Sequence, residues 1–129
     1  MVAWPYNSTT VSGLDKIRTA DTAPTISDLG TISASGTATL TLDTNSAFKL
    51  TAGGDFTLTH SGTIPSTQVV QGIIEITNGG AHTITYDSDF KFTDGTAPVL
   101  TASGVDVLSF ISFGSSTDIY LFHVGRALA

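Results

Sequence analysis

The sequence predicts an all-β fold: an antiparallel β-sandwich of jelly-roll type, or a partly closed barrel, with an extended N-terminal arm. Three observations predict it. From Gly36 onward apolar residues alternate with threonine, the period-two signature of half-buried strands. Glycine-rich turn signals recur at Gly53-Gly54, Asn78-Gly79-Gly80 and Gly114-Ser115-Ser116. The composition also avoids helix: charged residues make up 12% and there are 13 glycines, with β-branched threonine abundant. A chain of 129 residues suits one domain with one core.

Residues 1–35 read as the arm, with little regular structure, and residues 36–129 as the β-sandwich domain. Within the arm, Trp4 and Tyr6 flank Pro5, and Lys16 and Arg18 bring two of the five basic residues. These four are the candidate partner-binding residues, because large rings supply much contact area; the rings could instead fold back onto the core. In the domain, Ala38, Leu40 and Leu42 alternate with Thr37, Thr39 and Thr41 in a first strand. Phe48 and Leu50 make a second. Phe56 and Leu58 alternate with Thr57 and Thr59 in a third. Gly62 to Ser66, with Pro65, reads as a loop. Val70, Ile74 and Ile76 share one face of the next strand, and Ile73 on the other face predicts a central strand buried on both sides. Asn78-Gly79-Gly80 predicts a hairpin turn. His82, Ile84 and Tyr86 alternate next, followed by Phe90 and Phe92. Val105 to Phe113 and Ile119 to Val124 are the most apolar strands and read as a hairpin.

An internal echo links Thr39 to Gly53 with Thr83 to Gly95. TLTLD then FKLTAG matches TITYD then FKFTDG, suggesting two similar hairpins in two packed sheets.

The net charge of −6 leaves no electrostatic footprint for nucleic acid or anionic membrane, so neither is expected as a partner. Solubility explains the acidity, and an acidic face toward a basic partner is the other reading. The absence of cysteine excludes disulfide and thiolate chemistry. No basic leader with an apolar segment opens the chain, which predicts synthesis in a reducing cytosol. Asn7-Ser8-Thr9 fits a glycosylation sequon and reads as chance in that setting.

Catalytic signatures are missing, and no enzyme is expected. His60, His82 and His123 lack the spacing of zinc ligands, so no metal or cofactor is predicted. Asp87 and Asp89 could offer hard oxygens to calcium, but without the remaining acids of a calcium loop they read as turn formers. There is no nucleophile elbow and no phosphate-cradling glycine loop. Asp106, between Val105 and Val107, is a charge in an apolar strand. It needs a partner, either donors of the Ala102-Ser103-Gly104 turn or Lys91 across the sheet.

The stretch GTAPVLTASGVDVLSF, Gly95 to Phe110, follows an Phe-Lys-Phe strand and closes on Val-Asp-Val-Leu. From about Thr83 to Val124 the chain resembles segments of structural proteins of tailed bacteriophages: fibre, tail and capsid-accessory proteins. It is shorter than that pattern between Pro98 and Asp106. The resemblance implies a virion structural role. Combined with a short, arm-bearing β domain too small for a shaft, it implies a capsid decoration protein on the outer capsid surface. Such a protein would be made in the bacterial cytoplasm, bind the major capsid protein and assemble as a homotrimer. Phe110, Phe113, Tyr120 and Phe122 are the candidates for subunit packing, unless they belong to the core. A tail, fibre-tip or baseplate component binding a host receptor is the alternative.

Overall fold

The structure is a computed structural model that describes residues 23–129. The arm residues Trp4, Tyr6, Lys16 and Arg18 lie outside the described residues. The fold is all-β, with nine strands in two sheets among the described residues. They are β1 (Ile26–Ile32), β2 (Gly36–Thr41), β3 (Ala47–Ala52), β4 (Phe56–Ser61), β5 (Val69–Thr77), β6 (Ile84–Tyr86), β7 (Phe90–Lys91), β8 (Val105–Phe113) and β9 (Ile119–Leu128). The large sheet runs β1-β3-β5-β8-β9-β7, and the small one β2-β4-β6. β1 falls inside the stretch read as arm, starting ten residues before Gly36.

The pairing corrects the antiparallel expectation. β1–β3, β3–β5, β2–β4, β4–β6 and β7–β9 are parallel; only β5–β8 and β8–β9 are antiparallel. The chain coils. Each of three rungs gives one strand to the large sheet and the next to the small sheet, so Ile26, Ala47 and Ile73 stack in one column. Gly36, Phe56 and Ile84 stack in the other. The Gly53-Gly54 and Asn78-Gly79-Gly80 turns are therefore corners between sheets rather than hairpin turns. Stacked corners bond to one another: Ser35 N donates to Asp55 O (2.7 Å), and Gly53 N to Ile32 O (2.9 Å). Gly54 sits so close to the preceding corner that a Cβ there would lie 2.4 Å from Ala34 N. The internal echo has the same cause. Each copy is a small-sheet strand followed by a large-sheet Phe-Lys strand, β2 then β3 and β6 then β7, not a hairpin.

The core fills the space between the sheets. Ala38, Leu40, Phe56 and Leu58 of the small sheet meet Phe48, Leu50, Ile74, Ile76, Leu108, Phe110, Ile119 and Leu121 of the large one. The expected threonine faces are present, with Thr37, Thr57 and Thr85 in one cross-strand row on the opposite side of the small sheet. Phe110, a candidate for subunit packing, is a core residue at 1% exposure, tilted against Phe48. Burying such a ring stabilises by about 1.5–3 kcal/mol. Gly72 makes room for it: a Cβ there would lie 2.0 Å from Ser46 O and 2.5 Å from the Phe110 ring. At the other end of the large sheet, β7 curls back toward β4, where Phe90 packs edge-on against His60 with ring centroids 5.7 Å apart.

Asp106 is fully buried and faces inward from β8. Its carboxylate accepts from the Thr101 amide, from the Thr101 hydroxyl (2.9 Å) and from Ala127 N (2.8 Å), and His123 Nε2 lies 3.6 Å away. Lys91 turns elsewhere, donating to Ser88 O (2.6 Å). Asp106 thus ties the loop before β8 to the end of β9. That loop is also laced to the third corner, through Gly80 N to Thr101 O (2.9 Å) and Gly104 N to the Asn78 side chain (3.0 Å). Burial pushes the Asp106 carboxyl up, but the Thr101 and Ala127 amides, the Thr101 hydroxyl and His123 outweigh it and hold the group below the usual carboxylate range.

Two predictions follow from these contacts. Gly72→Ala should cost about 1–3 kcal/mol in urea unfolding, because the ring and the carbonyl must both yield. Asp106→Asn should cost about 2–3 kcal/mol at pH 7. A depressed carboxyl stabilises the fold above its unfolded value of about 3.9 and loses that contribution as pH falls through the lower folded value. The gap between wild type and Asp106→Asn should therefore narrow below about pH 4.

Candidate functional site

Two features of the fold are candidates for function: the uncovered face of the large sheet and a corner where His60 meets two aspartates.

Successive side chains of a strand point to opposite faces. The residues of β5, β8 and β9 that alternate with the core set therefore form the outer face of the large sheet. Their register builds continuous rows: Ile73 lies beside Ser109 and then Phe122, Gln71 beside Ile111 and then Tyr120, and Val69 beside Phe113. Most of these are exposed, Phe113 at 67%, Val124 at 60%, Ile73 at 52%, Phe122 at 43% and Tyr120 at 40%. Ile73 is thus not buried on both sides, as its strand pattern suggested; no described element covers this face. Ile26 of β1 extends the apolar surface past Ala47 to the sheet's far edge. The centre of the face carries Gln71 and Ser109; Asp28, Lys49 and Glu75 form a charged row across β1, β3 and β5, and Lys91 lies beside Tyr120 at the β7 edge. An apolar centre with a polar margin is the composition of a contact surface. Of the four residues expected to pack between subunits, Phe113, Tyr120 and Phe122 share this face, and Phe110 is on the inner one.

The second feature lies where β4 ends and β6 turns into β7. Phe56, Leu58 and His60 point the same way along β4, so His60 takes an inward position beside Leu40 of β2. Its side chain is 8% exposed, and its Nε2 is 3.0 Å from Asp89 Oδ2. Asp87 and Asp89 form the turn anticipated for them: Asp89 N donates to Asp87 Oδ1 (3.1 Å), and Phe90 N to Asp87 O (3.1 Å). Thr59 donates its hydroxyl to Asp87 Oδ2 (2.6 Å). That hydroxyl, with the Asp89 amide and nearby His60, holds the Asp87 carboxyl below its ordinary range. Sequence spacing hides this meeting of His60 with the aspartates, because parallel stacking creates it. The available signal was a histidine in phase with two core residues. His82 and His123 stand apart, beside Asp55 (4.0 Å) and Asp106 respectively.

Compared with protein-family models, curated proteins and solved structures, the chain matches none. No helix among the described residues is long and apolar enough to cross a membrane.

Parity along the strands gives a direct check. Phe113→Ser with Phe122→Ser should shift unfolding free energy by no more than about 0.5 kcal/mol and lower the binding of an apolar fluorescent dye. Phe110→Ala, three residues from Phe113, should cost about 3–5 kcal/mol.

Proposed function

We propose that this chain is a structural, non-enzymatic component of a tailed-bacteriophage virion. In this reading it is a capsid decoration protein that joins the outer capsid surface as a homotrimer and braces contacts of the major capsid protein. The observation that carries the assembly role is the face holding Ile73, Phe113, Tyr120 and Phe122, which nothing among the described residues covers. Leaving that much apolar surface in water is unfavourable, and contact with copies of the chain or with the shell relieves it. Rotational symmetry lets one such face repeat the same contact around an axis. The likeness of Thr83 to Val124 to tailed-phage structural proteins is what directs the assembly toward a virion.

A tail-fibre or baseplate position is the second reading. The stacked rungs favour it: β1 and β2 end their sheets at the same end of the coil, where a further rung of a longer fibrous assembly would stack.

Copy number per purified particle, measured by quantitative mass spectrometry against the major capsid protein, separates the two. Decoration predicts hundreds of copies following the shell's symmetry. A few dozen or fewer would move the chain to the tail, and none would end both readings.

A further inference from the structure

We propose that His60, Asp87 and Asp89 form a binding site for one divalent transition-metal ion of the Zn2+ or Mn2+ class. One donor atom from each of the three residues lies within 4.8 Å of the others. Donors held about 2.0–2.2 Å from a tetrahedral ion lie about 3.3–3.6 Å apart, so the set closes around an ion by side-chain rotations that move donor atoms by up to about 1.5 Å. One imidazole nitrogen with two carboxylate oxygens suits Zn2+ or Mn2+ better than Ca2+, which gathers six or more oxygens.

The state of His60 supports the site independently of the carboxylates. Its side chain is more than nine-tenths buried, Nε2 is aimed at Asp89, and Nδ1 is buried with no hydrogen-bond partner. The ring is thus held in a closed position by a single polar contact, with the edge of Phe90 against it. The buried ring directs Nε2 at the carboxylate pair, the position a ligating imidazole takes. The charge balance agrees. Among the described residues no lysine or arginine forms an ion pair with Asp87 or Asp89; Lys91 pairs with Asp118 instead (3.9 Å). Two adjacent carboxylates therefore have no lysine or arginine partner among the described residues, and a metal ion would supply the opposing charge. The Thr59 hydroxyl and the Asp89 amide already orient Asp87, as outer partners of a ligand do, and leave each oxygen a free lone pair. Asp89 is partly open, which leaves room for water to complete the coordination. On binding, the ion takes the Nε2 lone pair; a proton held on Nε2 moves to Nδ1 in the neutral ring, or to solvent from the doubly protonated one. The bound ion would pin the end of β4 to the turn entering β7, joining the small sheet to the edge of the large one.

The test uses the full chain without a polyhistidine tag, stripped with chelator and titrated separately with Zn2+, Mn2+ and Ca2+ by calorimetry and thermal unfolding. We expect one Zn2+ or Mn2+ per chain and a rise in Tm of about 5–10 °C at a hundredfold excess over Kd. Binding should weaken at least tenfold in Asp89→Asn and in His60→Gln, which keeps an amide donor for Asp89 but loses the imidazole. Ring NMR signals of the wild-type chain give a readout that needs no variant: His60 should shift with Zn2+ while His82 and His123 do not. Absence of saturable binding, a response to Ca2+ alone, or binding unchanged in both variants with an unmoved His60 would overturn the proposal.

Discussion

The large sheet has two apolar faces and, among the described residues, a partner for only one of them, and much of the structure depends on that constraint. The small sheet has three strands, enough to cover the inner face where Phe48, Ile74, Leu108 and Phe110 form the core. Packing that core fixes the details around it. Gly72 must lack a side chain because Phe110 occupies its space. β7 must curl back so that Phe90 can close the core beside His60. The outer face then presents Ile73, Phe113, Tyr120 and Phe122 to water. Such a surface is expensive to leave bare and is the physical basis for reading the chain as a unit of a larger assembly.

Coiling and polar anchoring work together to hold the fold. Parallel rungs need corners that stack, and the corner backbone groups bond to one another instead of to water. The last third of the chain abandons the coil and adds the antiparallel β8–β9 pair. Asp106 joins these two regimes. Its carboxylate gathers donors from the loop before β8 and from the end of β9, and the same loop is bonded to the third corner. A buried carboxylate is acceptable there only because amides and a hydroxyl surround it.

Much of the strand content was legible in the sequence. Ala38, Leu40, Phe56 and Leu58 alternate with threonine, and the alternation located both strands and their buried sides. Strand direction was not legible, because period two is the same in parallel and antiparallel pairs. The corners at Gly53-Gly54 and Asn78-Gly79-Gly80 use the residues of hairpin turns, so they misled on connectivity. A clearer signal was present in Thr51-Ala52-Gly53-Gly54 and Thr77-Asn78-Gly79-Gly80, whose threonines pair across β3 and β5. Around Phe110 both parities of β8 are apolar, so the sequence could not separate the core ring from Phe113 and Phe122 outside. The meeting of His60 with Asp87 and Asp89 depends wholly on the rung register, and no local pattern carries it.

The central claim is that the outer face of the large sheet is covered when the chain is in its assembly. Hydroxyl-radical footprinting of the free chain and of the particle-bound chain measures this side chain by side chain. The account predicts strong protection of Phe113, Tyr120 and Phe122 in the particle, with Tyr86 of the small sheet unchanged. Equal oxidation of Phe113, Tyr120 and Phe122 in both states would contradict it.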